Sequence, residues 1–226
     1  MKEKRNLLTG VGLIGAFALW TVLIQRVDVQ VVGQNGTKIG FADFNEWFHQ
    51  LTGVHITLYT ITDWLGLVPI FICLCFGVLG LVQLIKRRSM IRVDPDILLL
   101  GIYYVLVIAC YLIFEMIPIN YRPVLIEGRL EASYPSSTTL LVLSVMPTLM
   151  FQANRRVSNA MIRKAVAVFV IAFSAFMVIG RLISGVHWVT DIIGSVLLSA
   201  GLYMLYRSAV SYTDKAKKAD RSKDGV

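Results

Sequence analysis

Charge is what this sequence has least of. Only 16% of its 226 residues are Asp, Glu, Lys or Arg, against 56% apolar residues. A soluble domain carries about 25% charged residues, so this chain has too few to cover a globular surface in water. The same composition excludes disorder, collagen and coiled coil. Cysteine is also scarce. Cys73, Cys75 and Cys110 all lie inside apolar runs, which excludes a disulfide framework, and Cys-x-Cys alone does not make a metal site. They read as small buried hydrophobes. No internal repeat and no linker breaks the chain, so residues 1–226 form a single domain.

Long apolar runs are what the sequence does have. A bilayer core of about 30 Å needs roughly 20 apolar residues in a helix. Six runs are candidates: Leu7–Ile24, Trp64–Ile85, Ile97–Ile117, Thr138–Phe151, which is short and carries Pro147, Ala165–Ile183 and Trp188–Tyr206. The first follows a basic N-terminus but ends without a small-x-small cleavage site, so it reads as an uncleaved helix. Between the first two runs lie an alternating stretch, Val27–Val32, a Gln34-Asn35-Gly36 turn, and an amphipathic segment, Phe41–Leu51. Phe41, Phe44, Trp47, Phe48 and Leu51 share one face of that segment, the spacing of a helix lying in the membrane interface. The expected fold is all-α: a polytopic six-transmembrane-helix bundle with one interfacial helix between helices 1 and 2.

The net charge of +8 comes in clusters between the apolar runs. This is a topology pattern rather than a nucleic-acid footprint. One side carries Lys2, Lys4, Arg5, Lys86, Arg87, Arg88, Arg92, Arg155, Arg156, Arg163, Lys164 and the basic residues from Arg207 onward. The other has only Arg26, Lys38, Arg122, Arg129 and Arg181. Both termini, 1–6 and 208–226, are therefore expected on the cytoplasmic side of the cell membrane. The tail Lys215–Lys223 reads most simply as a solvated topology signal, with binding to anionic lipid the alternative.

The few ionisable groups on the outer side gather in two stretches. In Gly180-Arg181-Leu182-Ile183-Ser184-Gly185-Val186-His187-Trp188-Val189-Thr190-Asp191, His187 and Asp191 stand four apart at a helix start, on one face. A carboxylate accepting the Nδ1–H would fix the tautomer and leave Nε2 as nucleophile or base. Arg181 is suited to bind a phosphate oxyanion. The bland alternative is a boundary Arg, an interfacial His–Trp pair and a capping Asp, although ionisable groups at a membrane are costly. In the other stretch Arg122 adds a second cation, and Pro135-Ser136-Ser137-Thr138 precedes the fourth apolar run. Free N–H groups at a helix start bind anions, and the hydroxyls of Ser136, Ser137 and Thr138 could add donors. Ordinary capping is the alternative. His49 and His55 read as interfacial side chains, not metal ligands.

At these residues the sequence resembles the type 2 phosphatidic acid phosphatases, relatives of the vanadium-dependent haloperoxidases. The family pattern is Lys-x6-Arg-Pro, then Pro-Ser-Gly-His, then Ser-Arg-x5-His-x3-Asp. Arg181, His187 and Asp191 fit the third block, with Gly180 for its leading Ser. The first keeps Arg122-Pro123, with Glu115 at the Lys position. The second keeps Pro135-Ser136, with Ser137 for Gly and Thr138 for His. The resemblance implies hydrolysis of a lipid phosphate or pyrophosphate at the outer face, without metal or other cofactor. His187 would be the nucleophile forming a phosphohistidine, Asp191 its orienting partner, and Arg122, Arg181, Ser136 and Ser137 the phosphate ligands.

Thr138 stands where the family places the acid that protonates the leaving oxygen. Losing such an acid costs about 10²–10⁴ in rate, and less where the leaving group is itself a phosphate. A lipid pyrophosphate, such as polyprenyl pyrophosphate, is therefore the favoured substrate. A catalytically impaired relative that binds lipid phosphate or a partner protein is the alternative. A transporter or channel is disfavoured, because the helix interiors carry almost no ionisable groups.

Overall fold

The computed structural model describes residues 2–224 and is all-helical apart from isolated β-bridges. Its helices are α1 (Lys2–Ile24), α2 (Ala42–Thr52), α3 (Ile56–Leu65), α4 (Leu67–Arg87), α5 (Pro95–Met116), α6 (Ser137–Arg156), α7 (Ala160–Ile183) and α8 (Val189–Asp224). Among the described residues, five stretches are long and apolar enough to cross a membrane: Glu3–Ile24, Ile56–Arg87, Pro95–Met116, Ala160–Ile183 and Val189–Lys217. Large apolar side chains such as Leu8, Phe71, Ile91 and Val105 lie exposed on the outer surface. Exposed apolar surface on this scale suits lipid, not water.

The fourth expected span, α6, is not among these five; it packs against α4, α5, α7 and α8. It buries Thr138, Thr139, Ser144, Thr148 and Gln152 along with Leu140, Val142, Val145 and Met146. Enclosure by other helices explains its polar content: Tyr104 shares a hydrogen bond with Thr148 at 2.7 Å, and Gln152 donates to Tyr206 at 2.9 Å. The α1–α8 contact is close because Gly10 faces Leu205 and Gly201 faces Ile14; a Cβ on either glycine would approach its neighbour to 2.8 Å. Small residues permit such close packing where no hydrophobic force drives helices together in lipid.

Two boundaries differ from expectation. The second run begins earlier, as α3, and bends at Gly66, where a Cβ would lie 2.8 Å from the Asp63 carbonyl and 3.5 Å from Thr138. α8 does not stop near Tyr206 but continues to Asp224. Its extension is held by Arg155 on Asp214 at 2.7 Å and by Lys215 on Glu3 at 2.8 Å. Residues 225–226 of the expected tail, like Met1, lie outside the described residues. The cysteines are only partly buried, and Cys75 is exposed on α4. An outward thiol on a lipid-facing helix meets hydrocarbon, so burial within the protein is not required of it.

The ends of the bundle differ in chemistry. At one end Arg87, Asp94, Asp96, Arg155, Arg156 and Asp214 form an ion-pair network. At the other, the α7–α8 turn, the start of α6 and the 117–135 segment converge beneath α2 and α3.

Candidate active site

The site is built on the turn between α7 and α8. Gly185, at φ 69°, makes this turn against the Gly53 backbone, and a Cβ there would lie 2.1 Å from the Gly53 carbonyl oxygen. The turn buries His187 ahead of the helix that carries Asp191. Asn45 of α2 fixes the start of α8. It accepts from the Thr190 N–H at 3.3 Å and donates to the Thr190 hydroxyl at 3.0 Å.

His187 and Asp191 do come together, but not in direct hydrogen bond. Nδ1 lies 3.8 Å from Oδ2, beyond hydrogen-bond reach. Ser133 stands between them: its hydroxyl donates to Asp191 Oδ2 and lies 3.1 Å from His187 Nδ1. This corrects the expected direct pairing. Asp191 also accepts from the Trp188 N–H at 2.9 Å and from Asn120 Nδ2 at 3.3 Å. Ser133 and Asn120 escape sequence reading because both sit in an irregular loop, where spacing says nothing about proximity.

Arg122 and Arg181 converge over one ring. Their guanidinium carbons lie 5.6 and 4.7 Å from the centroid of Tyr59, in cation–π range. Arg181 is drawn to α3 and α6 together: its NH2 donates to Asp63 Oδ1 at 3.1 Å and to Thr138 Oγ1 at 2.5 Å. Arg122 pairs with Glu131 at 3.2 Å. Close packing of α3 on α7 at Gly180, where a Cβ would meet Thr62 at 2.8 Å, delivers Tyr59 and Asp63 and accounts for glycine in place of serine there. Tyr59 and Asp63 carry no motif.

The expected hydroxyl ligands divide. The Ser136 hydroxyl is fully buried and donates to Thr139 at 3.1 Å, inside α6 rather than into the site. It does not cap the helix either. The Thr138 hydroxyl is an acceptor for Arg181. Ser137 is half-buried and lines the cavity described below. The amides of Ser137, Thr138 and Thr139 donate to no protein acceptor among the described residues, as is usual in a first helical turn.

Four buried nitrogens of the cluster have no hydrogen-bond partner: Nε and NH1 of Arg122, Nε of Arg181 and Nε2 of His187. Burial, reinforced by the Arg122 and Arg181 charges, holds the His187 imidazole well below its ordinary pKa of 6.5. It is therefore neutral, with a lone pair available on one nitrogen. Below Asp63, Ser137 and Thr138, a cavity of about 460 Å³ runs between α4, α5 and α6, lined mainly by apolar groups including Leu67, Ile70, Val107, Leu141 and Val145. From Ser137 to Val145 it spans about 12 Å along α6.

A helical bundle with a lipid-facing apolar surface, one polar end of which holds a buried imidazole near enough to two arginines for their charges to disfavour its protonation, defines an integral membrane protein. The family model described as the PAP2 superfamily matches residues 70–215. The chain belongs to this superfamily, as a PAP2-type membrane phosphatase. Its fold resembles that of the crystal structure of the first transmembrane PAP2-type phosphatidylglycerolphosphate phosphatase from Bacillus subtilis. The TM-score is 0.63 at 16% identity, covering 92% of this chain and 96% of that one. No curated protein matches the sequence significantly.

Proposed function

We propose that this protein hydrolyses a lipid phosphate or pyrophosphate through a phosphohistidine on His187, without metal. The observation that carries the reading is the set of four unpartnered buried nitrogens on Arg122, Arg181 and His187. Buried polar groups are normally satisfied. Three cationic donors around one imidazole lone pair suit a phosphoryl group: the arginines take its oxygens, and Nε2 faces phosphorus. The Ser137–Thr139 amides would add a helix N-terminus. Asp191, acting through Ser133, would keep the proton on Nδ1 and stabilise the charge that develops when Nε2 attacks. The apolar cavity beside Thr138 suits a lipid chain.

The same reading has α6 as a sixth span and α2 as an interfacial helix. Phe44, Trp47 and Leu51 of α2 are exposed together, as an interface-bound face requires. Both termini would be cytoplasmic and the site outside, because the basic residues concentrate at the opposite end. Phosphate release by the purified protein in detergent, from a panel of lipid mono- and pyrophosphates, is the test. Turnover abolished by His187→Ala is expected. Absence of turnover with lipid phosphate still bound would favour a binding protein.

A further inference from the structure

Breaking a lipid phosphate ester leaves an electron pair on the lipid oxygen, and that alkoxide departs slowly unless it is protonated. Its position follows from the site: phosphate on the arginines and chain in the apolar cavity put the bridging oxygen where the two meet. The carboxyl groups nearby are distributed unevenly. Asp191 lies behind the imidazole, wholly buried and occupied by Ser133, Trp188 and Asn120. Glu131 sits on Arg122, and Glu115 lines a separate small cavity with Ser133, Pro135 and Ser137; neither lines the apolar cavity. Asp63 does line it, beside Ser137 and Thr138. Its side chain is 55% exposed and 3.1 Å from Arg181, and the Gly66 bend fixes its place at the end of α3.

We propose that Asp63 is the acid that protonates the departing lipid oxygen, an inference that rests on the phosphatase reading above. A phosphate monoester entering as its monoanion displaces the Asp63 carboxylate from the Arg181 guanidinium and gives it the proton carried in on a phosphate oxygen. Nε2 of His187 attacks phosphorus and the N–P bond forms. The P–O bond to the lipid breaks, its electron pair goes to the lipid oxygen, and the Asp63 proton joins that oxygen to release the alcohol. Asp63, now a carboxylate, takes a proton from water as the water oxygen attacks phosphorus. The N–P bond breaks with its pair returning to Nε2, and inorganic phosphate leaves. Thr138 needs no acidic role in this sequence; it holds Arg181. Phosphate monoesters with poor leaving groups thereby become substrates alongside pyrophosphates.

The test compares wild type, Asp63→Asn and Asp63→Glu in detergent micelles. Dioleoyl phosphatidate requires leaving-group protonation; p-nitrophenyl phosphate does not, because its phenolate is stable. Asp63→Asn should lower kcat on phosphatidate about 10²–10⁴-fold and on the nitrophenyl ester by less than about threefold, under 1 kcal/mol of barrier. Asp63→Glu should restore part of the phosphatidate rate, and inhibition by inorganic phosphate should persist in both variants. Equal losses on the two substrates, loss of phosphate inhibition, or no loss on either would overturn the acid assignment alone. A wild type inactive on both esters would instead remove the phosphatase reading, and the acid with it.

Discussion

Ser133→Ala isolates the contribution of a residue that no motif contains. In the wild type the hydroxyl occupies the space between His187 Nδ1 and Asp191 Oδ2, which are 3.8 Å apart. Removing it leaves the Nδ1–H without an acceptor in a buried site and deprives Asp191 of one of its three donors. The Trp188 amide and Asn120 keep the carboxylate in place. A hydrogen bond to a charged group contributes about 1.5–3 kcal/mol. If that contribution is realised when the imidazole gains charge, kcat falls roughly 10- to 150-fold. KM should change little, because neither Ser133 nor Nδ1 faces the arginines. Ser133→Thr, which keeps the hydroxyl, should retain most of the rate, and Asp191→Asn should cost more than Ser133→Ala because it removes the charge itself. Steady-state kinetics in detergent with phosphorylated lipid reads all three. A Ser133→Ala enzyme within twofold of wild type would refute the bridge and imply that Asp191 reaches His187 directly during turnover.

Because burial and the Arg122 and Arg181 charges depress the His187 pKa, the imidazole stays neutral as pH falls through 6.5, and kcat/KM should not lose an acid limb there. Arg122→Gln should move that limb upward toward 6.5 in a pH–rate profile, besides weakening phosphate binding. The same depression makes the unfolded chain bind more protons than the folded one near and below pH 6.5, so this residue's contribution to stability is present above 6.5 and is lost on acidification. Thermal unfolding in detergent at pH 7.5 and 5.5 should show a smaller pH dependence in His187→Gln. Thr138→Val removes an acceptor from Arg181 and should raise KM about three- to tenfold, in line with about 1 kcal/mol for a hydrogen bond, with kcat less affected. Gly180→Ser forces a Cβ against Thr62 and should destabilise the protein by about 1–3 kcal/mol, read as a lower unfolding midpoint.

How much was legible follows the physics of each signal. Apolar run length located α1, α5, α7 and the apolar part of α8, because hydrocarbon imposes it directly on composition. It located α3 poorly, since residues 56–63 mix Thr, Tyr and Asp with apolar residues and the chain bends at Gly66. It truncated α8, whose last turns are held by ion pairs with Arg155 and Glu3 rather than by lipid. Arg122, Arg181, His187 and Asp191 were identified as a set, because ionisable groups at a membrane boundary demand a reason. Thr138 was found, but its partner proved to be a guanidinium. Ser136 was expected as a phosphate ligand and turns inward to Thr139 instead. Ser133, Asn120, Tyr59 and Asp63 come to the site through tertiary packing, and nothing local in the chain announces that.

The polar interior of α6 bears on how the chain enters the bilayer. Its acceptors and donors come from both sides in sequence: Tyr103 and Tyr104 are made before it, Tyr206 some fifty residues after Gln152. While synthesis proceeds, the Gln152 oxygen already accepts from Arg156 Nε on the same helix at 3.1 Å, but its NH2 group lacks the Tyr206 acceptor, and an unsatisfied donor in hydrocarbon is costly. α6 cannot be retained as an independent hydrophobic segment in the way α5 or α7 can. It must wait in a sheltered position, beside the insertion machinery or against α4 and α5, until α8 emerges. On the proposed six-span reading, α6 is thus stably embedded only once α8 has joined it, and mutations in α8 far from the proposed site should reduce yield by stranding α6.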